Sequence, residues 1–424
     1  MPFAAEVYKN RRLRLTKKME EGVAIIPTSS ERTRNNDVAF PYRPDSTFYY
    51  LTGFPEPDAV LVVVAGKESK SILFCQPKDP TKEVWTGRRF GPNGAKSTFG
   101  FDETYTVDEF DKKMPGLINL KKVYYSVGRN QDFDRRIVEW MRISPAISDV
   151  MQITDEMRLI KSSEEIEIMR KAAIISAQAH RHAMQVCRPG MMEYELEAEI
   201  GKIFRFSGGD PLHAYPSIVA GGNNACVLHY TENNCVLKDG ELVLIDAGCE
   251  LDGYGSDITR TFPVNGKFTP EQEAVYELAL EAQEAAIGKA RPGNHVRAPH
   301  NAAVRVITKG LAKLRIIRGN VNELIRKRAY YRFFMHGTSH WLGSDVHDAG
   351  DYMKGGKWRE LRPGMVLTVE PGIYIPIGSK GVSKKWWGIG VRIEDDVLIT
   401  KNGNEVLTSL VPKTARDIEL LMGR

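Results

Sequence analysis

Between residues 23 and 128 the chain alternates short β-rich apolar runs with polar turns: VAIIPT at 23–28, AVLVVVAG at 59–66, SILFCQP at 71–77 and KVYYSVG at 122–128. Helical stretches such as DFDRRIVEWMRI accompany them, and this alternation predicts an α/β domain. From about Asp149 to Lys161 the chain leads into a long helical region, SSEEIEIMRKAAIISAQAHRHAMQVC. Ser162 or Ser163 is its expected N-cap, with Glu165 as capping-box partner. The domain boundary is placed near Thr154, which separates 1–153 from 154–424. Arg188-Pro189-Gly190 stops the long helix, and MEYELEAEIGKIFRFSGG follows as a second amphipathic helix ending in glycines.

Between 241 and 264 the period shortens to that of strands. ELVLIDAG and SDITRTFPV flank a turn at Leu251-Asp252-Gly253-Tyr254, and Asp-Gly is a hairpin signal. Two more helices are expected, TPEQEAVYELALEAQEAAIGKA and the region around 297–315, before strands return around Glu370 and Glu394. Helix, helix, hairpin thus occurs twice, which hints at pseudo-symmetry. A turn centred on Asp252-Gly253 makes Asp246 and Asp257 diagonal neighbours on one face of the hairpin. Two like charges held that close want a cation between them; without one each raises the other's pKa. The same parity puts Arg392 beside Glu394, where a guanidinium can hold a carboxylate in place.

Composition adds limits rather than detail. Hydrophobic residues make up 42% and charged residues 27%, as in a globular protein. The 59 basic residues barely exceed the 54 acidic ones, and the only dense basic run is NRRLRLTKK at 10–18, so nucleic acid is not an expected partner. No signal peptide or membrane-spanning stretch is visible. Arg11, Arg12 and Arg14 would suit a mitochondrial presequence, but Glu6 and the scarcity of serine do not. Five scattered cysteines without a CxxC spacing read as reduced thiols in a cytoplasmic protein.

The chemistry concentrates in five residues: Asp246 in VLIDAG, Asp257 in GSDITRTF, His340 in HGTSHWLGSDVHD, Glu370 in TVEPGIY and Glu394 in GVRIEDDVLIT. Any one of them alone would be an ordinary solvated acid or a packed histidine. Together, with acids directly after apolar strand residues where a bare charge is costly to bury, they read as one oxygen-rich two-metal site and make a hydrolase the leading expectation. His336 and His340 are four apart but Gly337 stands where a zincin has glutamate. GxSxG and P-loop sequences are both missing, so serine hydrolases and nucleotide binders lack their motifs.

Long strings of this chain resemble the metallopeptidases of the pita-bread fold, and among them the aminopeptidase P family. FPYRPDSTFYYLTGFPEPDAVLVV and EVWTGRRFGPNGA are similar to that family's N-terminal domain; HGTSHWLGSDVHDAGDY, TVEPGIYI and GIGVRIEDDVLIT are similar to its catalytic motifs. The resemblance implies an N-terminal creatinase-like (ribonuclease H-like) α/β domain for substrate access and oligomerisation, and a C-terminal α+β pita-bread catalytic domain. It implies that Asp246 binds one metal, His340 and Glu370 the other, and Asp257 and Glu394 both. Oxygen-dominated coordination suits Mn(II), with Co(II) or Zn(II) able to substitute. A hydroxide bridging the two ions would attack the bond before a proline in second position, with Glu370 as general base and proton shuttle. His229 and His347 match residues that contact substrate and stabilise the tetrahedral intermediate, His336 a histidine beside the proline pocket, and Arg392 completes the expected substrate-binding set. Trp85 matches a tryptophan delivered from a neighbouring subunit, which implies a homodimer or homotetramer; the alternative is a core tryptophan.

Prolidase shares the fold and the ligands but acts on Xaa-Pro dipeptides; Ser339, Trp341 and the EVWTGRR segment favour the longer-peptide activity. Methionine aminopeptidase would not need such an N-terminal domain, creatinase works without the ligands, and a non-catalytic binding module should have lost some of them.

Overall fold

The computed structural model describes residues 2–119, 121–140 and 146–423. The chain divides into two compact units, Met1–Arg158 and Leu159–Arg424, so the helix Met151–Arg158 goes with the first unit and the division falls slightly beyond Thr154.

In the first unit a six-stranded sheet runs in the order Glu103–Thr106, Lys70–Cys75, Val60–Ala65, Gly22–Pro27, Val123–Tyr124, Ile147–Ser148. Val60–Ala65 pairs antiparallel with both neighbours, and the outer pairings are parallel. Its central strands are apolar at every position because both faces are covered. Ala24, Ile26, Leu61 and Val63 enter one core, while Val23, Ile25, Val60 and Val62 enter another. The run expected at 122–128 keeps only two strand residues. Beyond them the Asp134 carboxylate accepts from the Gly128 N–H and the Tyr125 hydroxyl, which bends the chain into the helix Gln131–Trp140. The last three residues of the expected helix, 141–143, lie outside the described residues.

The second unit opens with the helix Ser163–Val186. Ser162 accepts from the Glu165 N–H and the Glu165 carboxylate accepts from the Ser162 N–H, closing the expected capping box. This helix and the next, Glu193–Phe206, share a core with the three-stranded sheet Ile218–Gly221, Leu242–Asp246, Thr259–Pro263. At the hairpin tip Asp252 and Gly253 have φ of 52° and 81°, as a two-residue type I′ turn demands. The register set there, Leu251 opposite Tyr254, continues unbroken to Asp246 opposite Thr259. Asp257 is therefore the diagonal neighbour of Asp246. At Gly248, a Cβ would stand 1.8 Å from the Ser256 carbonyl oxygen, so the hairpin narrows where only glycine fits.

Helices Pro270–Ile287 and Ala298–Lys313 precede a second paired arrangement. Val366–Val369 pairs with Asp395–Ile399, ending at Val369 opposite Asp395, and Gly372–Ile375 pairs with Ile389–Arg392, starting at Gly372 opposite Arg392. Both ladders keep one register, so Glu370 and Glu394 come opposite each other in the gap between them. Among the described residues no helix is long and apolar enough to cross a membrane.

Candidate metal centre and active site

Each hairpin therefore delivers two acids, and the strand Thr259–Pro263 brings the pairs together. Glu394 donates its N–H to the Thr259 carbonyl (3.1 Å), the Thr261 hydroxyl donates to the Arg392 carbonyl (3.0 Å), and the Asp396 carboxylate accepts from the Asp257 N–H (3.1 Å). His340 enters from a segment beside Val366–Val369, fixed by the Thr368 N–H on the His340 carbonyl and the Glu370 N–H on the Thr338 carbonyl. A cavity of about 530 Å³ results. Asp246, Asp257, His340, Glu370, Glu394, His229, His336, His347 and Arg392 all line it.

The electrostatics ask for a cation. Ligand atoms of Asp257, His340 and Glu394 lie within 4.8 Å of one another. His340 Nδ1 is 3.0 Å from the Trp341 carbonyl and donates to it, which turns the Nε2 lone pair toward Asp257 (3.4 Å) and Glu370 (3.7 Å). A lone pair facing two carboxylates is repulsive unless a proton or a metal ion lies between. Without a metal the proton takes that place: burial alone would lower His340, but its bond to Asp257 and the charges of Glu370 and Asp257 raise it to about 9. Burial pushes Glu370 up to about 7 against the pull of His340 and Arg392. Burial and then the neighbouring acids push Glu394 well above the carboxylate range, and burial also raises Asp246. Asp257 alone is held low, because His340 and Tyr215 outweigh its burial. Tyr215 stands 2.6 Å from Asp246 and 2.5 Å from Asp257, one phenolic proton for two carboxylates. Acids whose charges are this costly to hold together, beside an imidazole lone pair that faces two of them, fit divalent ions.

Several residues that hold this set were not expected. Thr259 donates its hydroxyl to Glu394 (2.6 Å), and buried Arg260 donates to the Glu394 carbonyl (2.6 Å) and to Asp395 (2.7 Å). Tyr215, Thr259 and Tyr374 are neutral hydroxyls that carry no charge signature in a sequence; only the run of acids Glu394-Asp395-Asp396 in an apolar strand hinted at more than one buried role. The expected partner of Arg392 needs correction. Its guanidinium donates to Asp246 (2.7 Å), Tyr374 (3.0 Å) and Thr259 (3.1 Å), so it secures Asp246 rather than Glu394. Parity along its own strand could not reveal which strand packs across from it.

Three histidines surround the acids. His336 Nδ1 lies 2.6 Å from the Gly337 carbonyl and Nε2 lies 2.8 Å from Tyr374, whose hydroxyl also accepts from Arg392. That chain makes His336 neutral with both nitrogens engaged, and burial with Arg392 nearby lowers it to about 3. His347 packs edge-on to His340 at 4.3 Å between ring centroids. Its neighbour Asp348 is pinned by a fully buried ion pair to Lys161 (2.8 Å). His229 is exposed. Trp85 is not part of the cavity lining; it lies in the first unit, 87% exposed on the helix Pro80–Thr86, which excludes the core-tryptophan alternative.

Residues 167–401 match the model of metallopeptidase family M24, and residues 8–125 match that of the aminopeptidase P N-terminal domain. The Xaa-Pro aminopeptidase of Escherichia coli is 45% identical, with 99% of this chain and 98% of that protein covered. The solved aminopeptidase PepP of Pseudomonas aeruginosa superimposes with a TM-score of 0.97 at 50% identity, covering 99% and 98%. A zinc-substituted aminopeptidase P of E. coli in complex with product matches at a TM-score of 0.96 and 44% identity, covering 99% and 98%. By these matches, and by the acids and histidines gathered in one cavity, the chain belongs to metallopeptidase family M24, in its aminopeptidase P group.

Proposed function

We propose that the cavity cleaves the N-terminal residue from peptides with proline in second position, the activity of an Xaa-Pro aminopeptidase. The observation that carries this is the meeting of five metal-type ligands with His229, His336 and His347 in one cavity. Asp246 would hold one divalent ion, His340 and Glu370 a second, and Asp257 and Glu394 both; Mn(II) suits such a set, with Co(II) or Zn(II) as substitutes. When bound, the ions supply Lewis acidity and lower the pKa of water toward neutrality.

The remaining work falls to the chain itself. Glu370 takes the proton of the attacking water and passes it to the departing proline nitrogen. His229 and His347 offer N–H groups to the carbonyl oxygen as negative charge builds on it. His336, with both nitrogens engaged within the protein, presents ring carbons to the substrate, a suitable wall for a pyrrolidine ring. Proline makes the bond a tertiary amide with no N–H, so a site that asks for no such donor can accept what ordinary peptidases reject. Arg392 and Thr259 act by holding Asp246 and Glu394 still. The first unit governs access and assembly: Trp85 and Val84, exposed on one helix, support a homodimer or homotetramer in which a neighbouring subunit supplies Trp85 to the site. Five cysteines, with no disulfide among the described residues, favour the cytoplasm.

The test is an activity series on Xaa-Pro, Xaa-Pro-Yaa and Xaa-Pro-Yaa-Zaa after chelation and after return of Mn, Co or Zn. Cleavage of the longer peptides that depends on added metal is the expected result. Cleavage of the dipeptide alone would make the protein a dipeptidase and overturn the proposal.

A further inference from the structure

His229 is exposed in the connection between residues 226 and 242, and no hydrogen bond or ion pair holds its ring among the described residues. Its place must be set by the chain on either side. That chain converges on Glu193, the first residue of the helix Glu193–Phe206, whose side chain is fully buried. Oε1 accepts from the Gly221 N–H (2.8 Å) and the Asn224 amide (3.1 Å), and Oε2 accepts from the Tyr230 hydroxyl (2.8 Å) and the Cys235 N–H (2.9 Å). Tyr230 directly follows His229, Cys235 lies further along the same connection, and Gly221 and Asn224 lie just before it. Four donors fill the four accepting positions of a carboxylate. Burying it there, at a helix N-terminus and tied to the loop rather than to its own helix, is favourable only while all four are in place.

We propose that Glu193 is a positioning residue for catalysis: its carboxylate holds His229 at the cavity wall through Tyr230 and Cys235. This rests on the part given to His229 above. A carboxylate is required rather than any polar group, because the amide of glutamine would turn an N–H₂ toward one of the two donor pairs. Displacement of a catalytic group by about 1 Å can cost on the order of a hundredfold in rate. Backbone bonds between residues 190–193 and Cys235 and Leu237, with the Asn233 amide on Ser217 and Val219, fix the far end of the loop, and the Glu193 bond to Tyr230 fixes the part beside His229.

The experiment is a double-mutant cycle on the metal-loaded protein with an Xaa-Pro-Yaa substrate. Glu193→Gln should lower kcat and kcat/KM together by roughly tenfold or more, with KM and bound metal unchanged. In the His229→Ala background the same substitution should cost less than about twofold, since the group it positions is gone. Tyr230→Phe removes one of the four bonds and should follow the same pattern with a smaller effect, which keeps the test open if Glu193→Gln fails to fold. Equal losses in both backgrounds, or full activity in Glu193→Gln, overturn the positioning role. A fully active His229→Ala overturns the role of His229 itself, and with it the positioning.

Discussion

The floor and the rim of the cavity are built on different principles. On the floor, Asp246, Asp257, Glu370 and Glu394 lie on or beside paired strands, and the backbone around them is tied to a neighbouring strand. At the rim, His229 and His347 lie on loops whose bonds gather on buried side chains, Glu193 and Asn233 for one and the Lys161–Asp348 pair for the other. Ladders spread the task of positioning over many bonds, whereas in the His229 loop one carboxylate gathers four of them, so that one substitution loosens several at once. Floor substitutions should therefore act through metal, and rim substitutions through rate with metal retained.

The largest effect is expected from the floor. On the proposed assignment Glu394→Gln would remove a ligand shared by two ions, and activity should fall by roughly a thousandfold or more, since bound metal would supply several kcal/mol of stabilisation. Metal analysis should show the loss; an active variant with a full complement of metal would blur the distinction. His347→Ala should lower kcat about a hundredfold with metal content unchanged, as measured by steady-state kinetics beside elemental analysis. Thr259→Val, which strips Glu394 of a 2.6 Å hydrogen bond, should weaken metal affinity by about tenfold. A titration with chelator would detect that shift, and unchanged affinity would mean the strand alone positions Glu394.

A fourth prediction concerns pH and separates the floor from everything above it. In the metal-free protein His340 sits near 9 against an ordinary 6.5, and Glu370 near 7 against an ordinary 4.5. Both folded-state values are raised, so the native state holds more protons than the unfolded one between those limits. Their contribution to stability is then greatest at low pH, falls through about 4.5 to 7 as Glu370 ionises and through about 6.5 to 9 as His340 loses its proton. Metal replaces those protons, so the gap in Tm between loaded and chelated protein should widen from pH 5 to pH 9. Parallel Tm curves would contradict the cluster's electrostatics. The smallest effect belongs to Trp85→Ala: KM should rise a few-fold with little change in kcat if a partner subunit supplies the side chain, roughly what losing one wall contact costs.

Much of the floor was legible because it leaves marks in a sequence. Acids after apolar strand residues are rare, and Asp252-Gly253 specifies a turn whose length dictates which side chains share a face. The helix Ser163–Val186 was legible for the same kind of reason, through its capping box. The rim was legible only by resemblance, since an isolated histidine in a loop has no period to betray it. What escaped entirely were groups whose role is set by another strand: Tyr215, Thr259 and Tyr374 look like ordinary strand or loop hydroxyls until the hairpins meet. Arg392 carried a visible charge, but its true partner lies 146 positions away in the chain, on Asp246.

The type I′ turn at Asp252-Gly253 has a consequence for how such a site can change over time. Its two left-handed residues fix the count between Asp246 and Asp257, and each residue added to either arm would swing one acid to the opposite face. Single insertions in this hairpin should therefore abolish metal binding, while a pair added together could be absorbed by a longer loop. Loops at the rim obey no such rule. Descendants of this chain are free to lengthen the approaches to the site, and so to alter what enters it, while the spacing beneath stays locked in even steps.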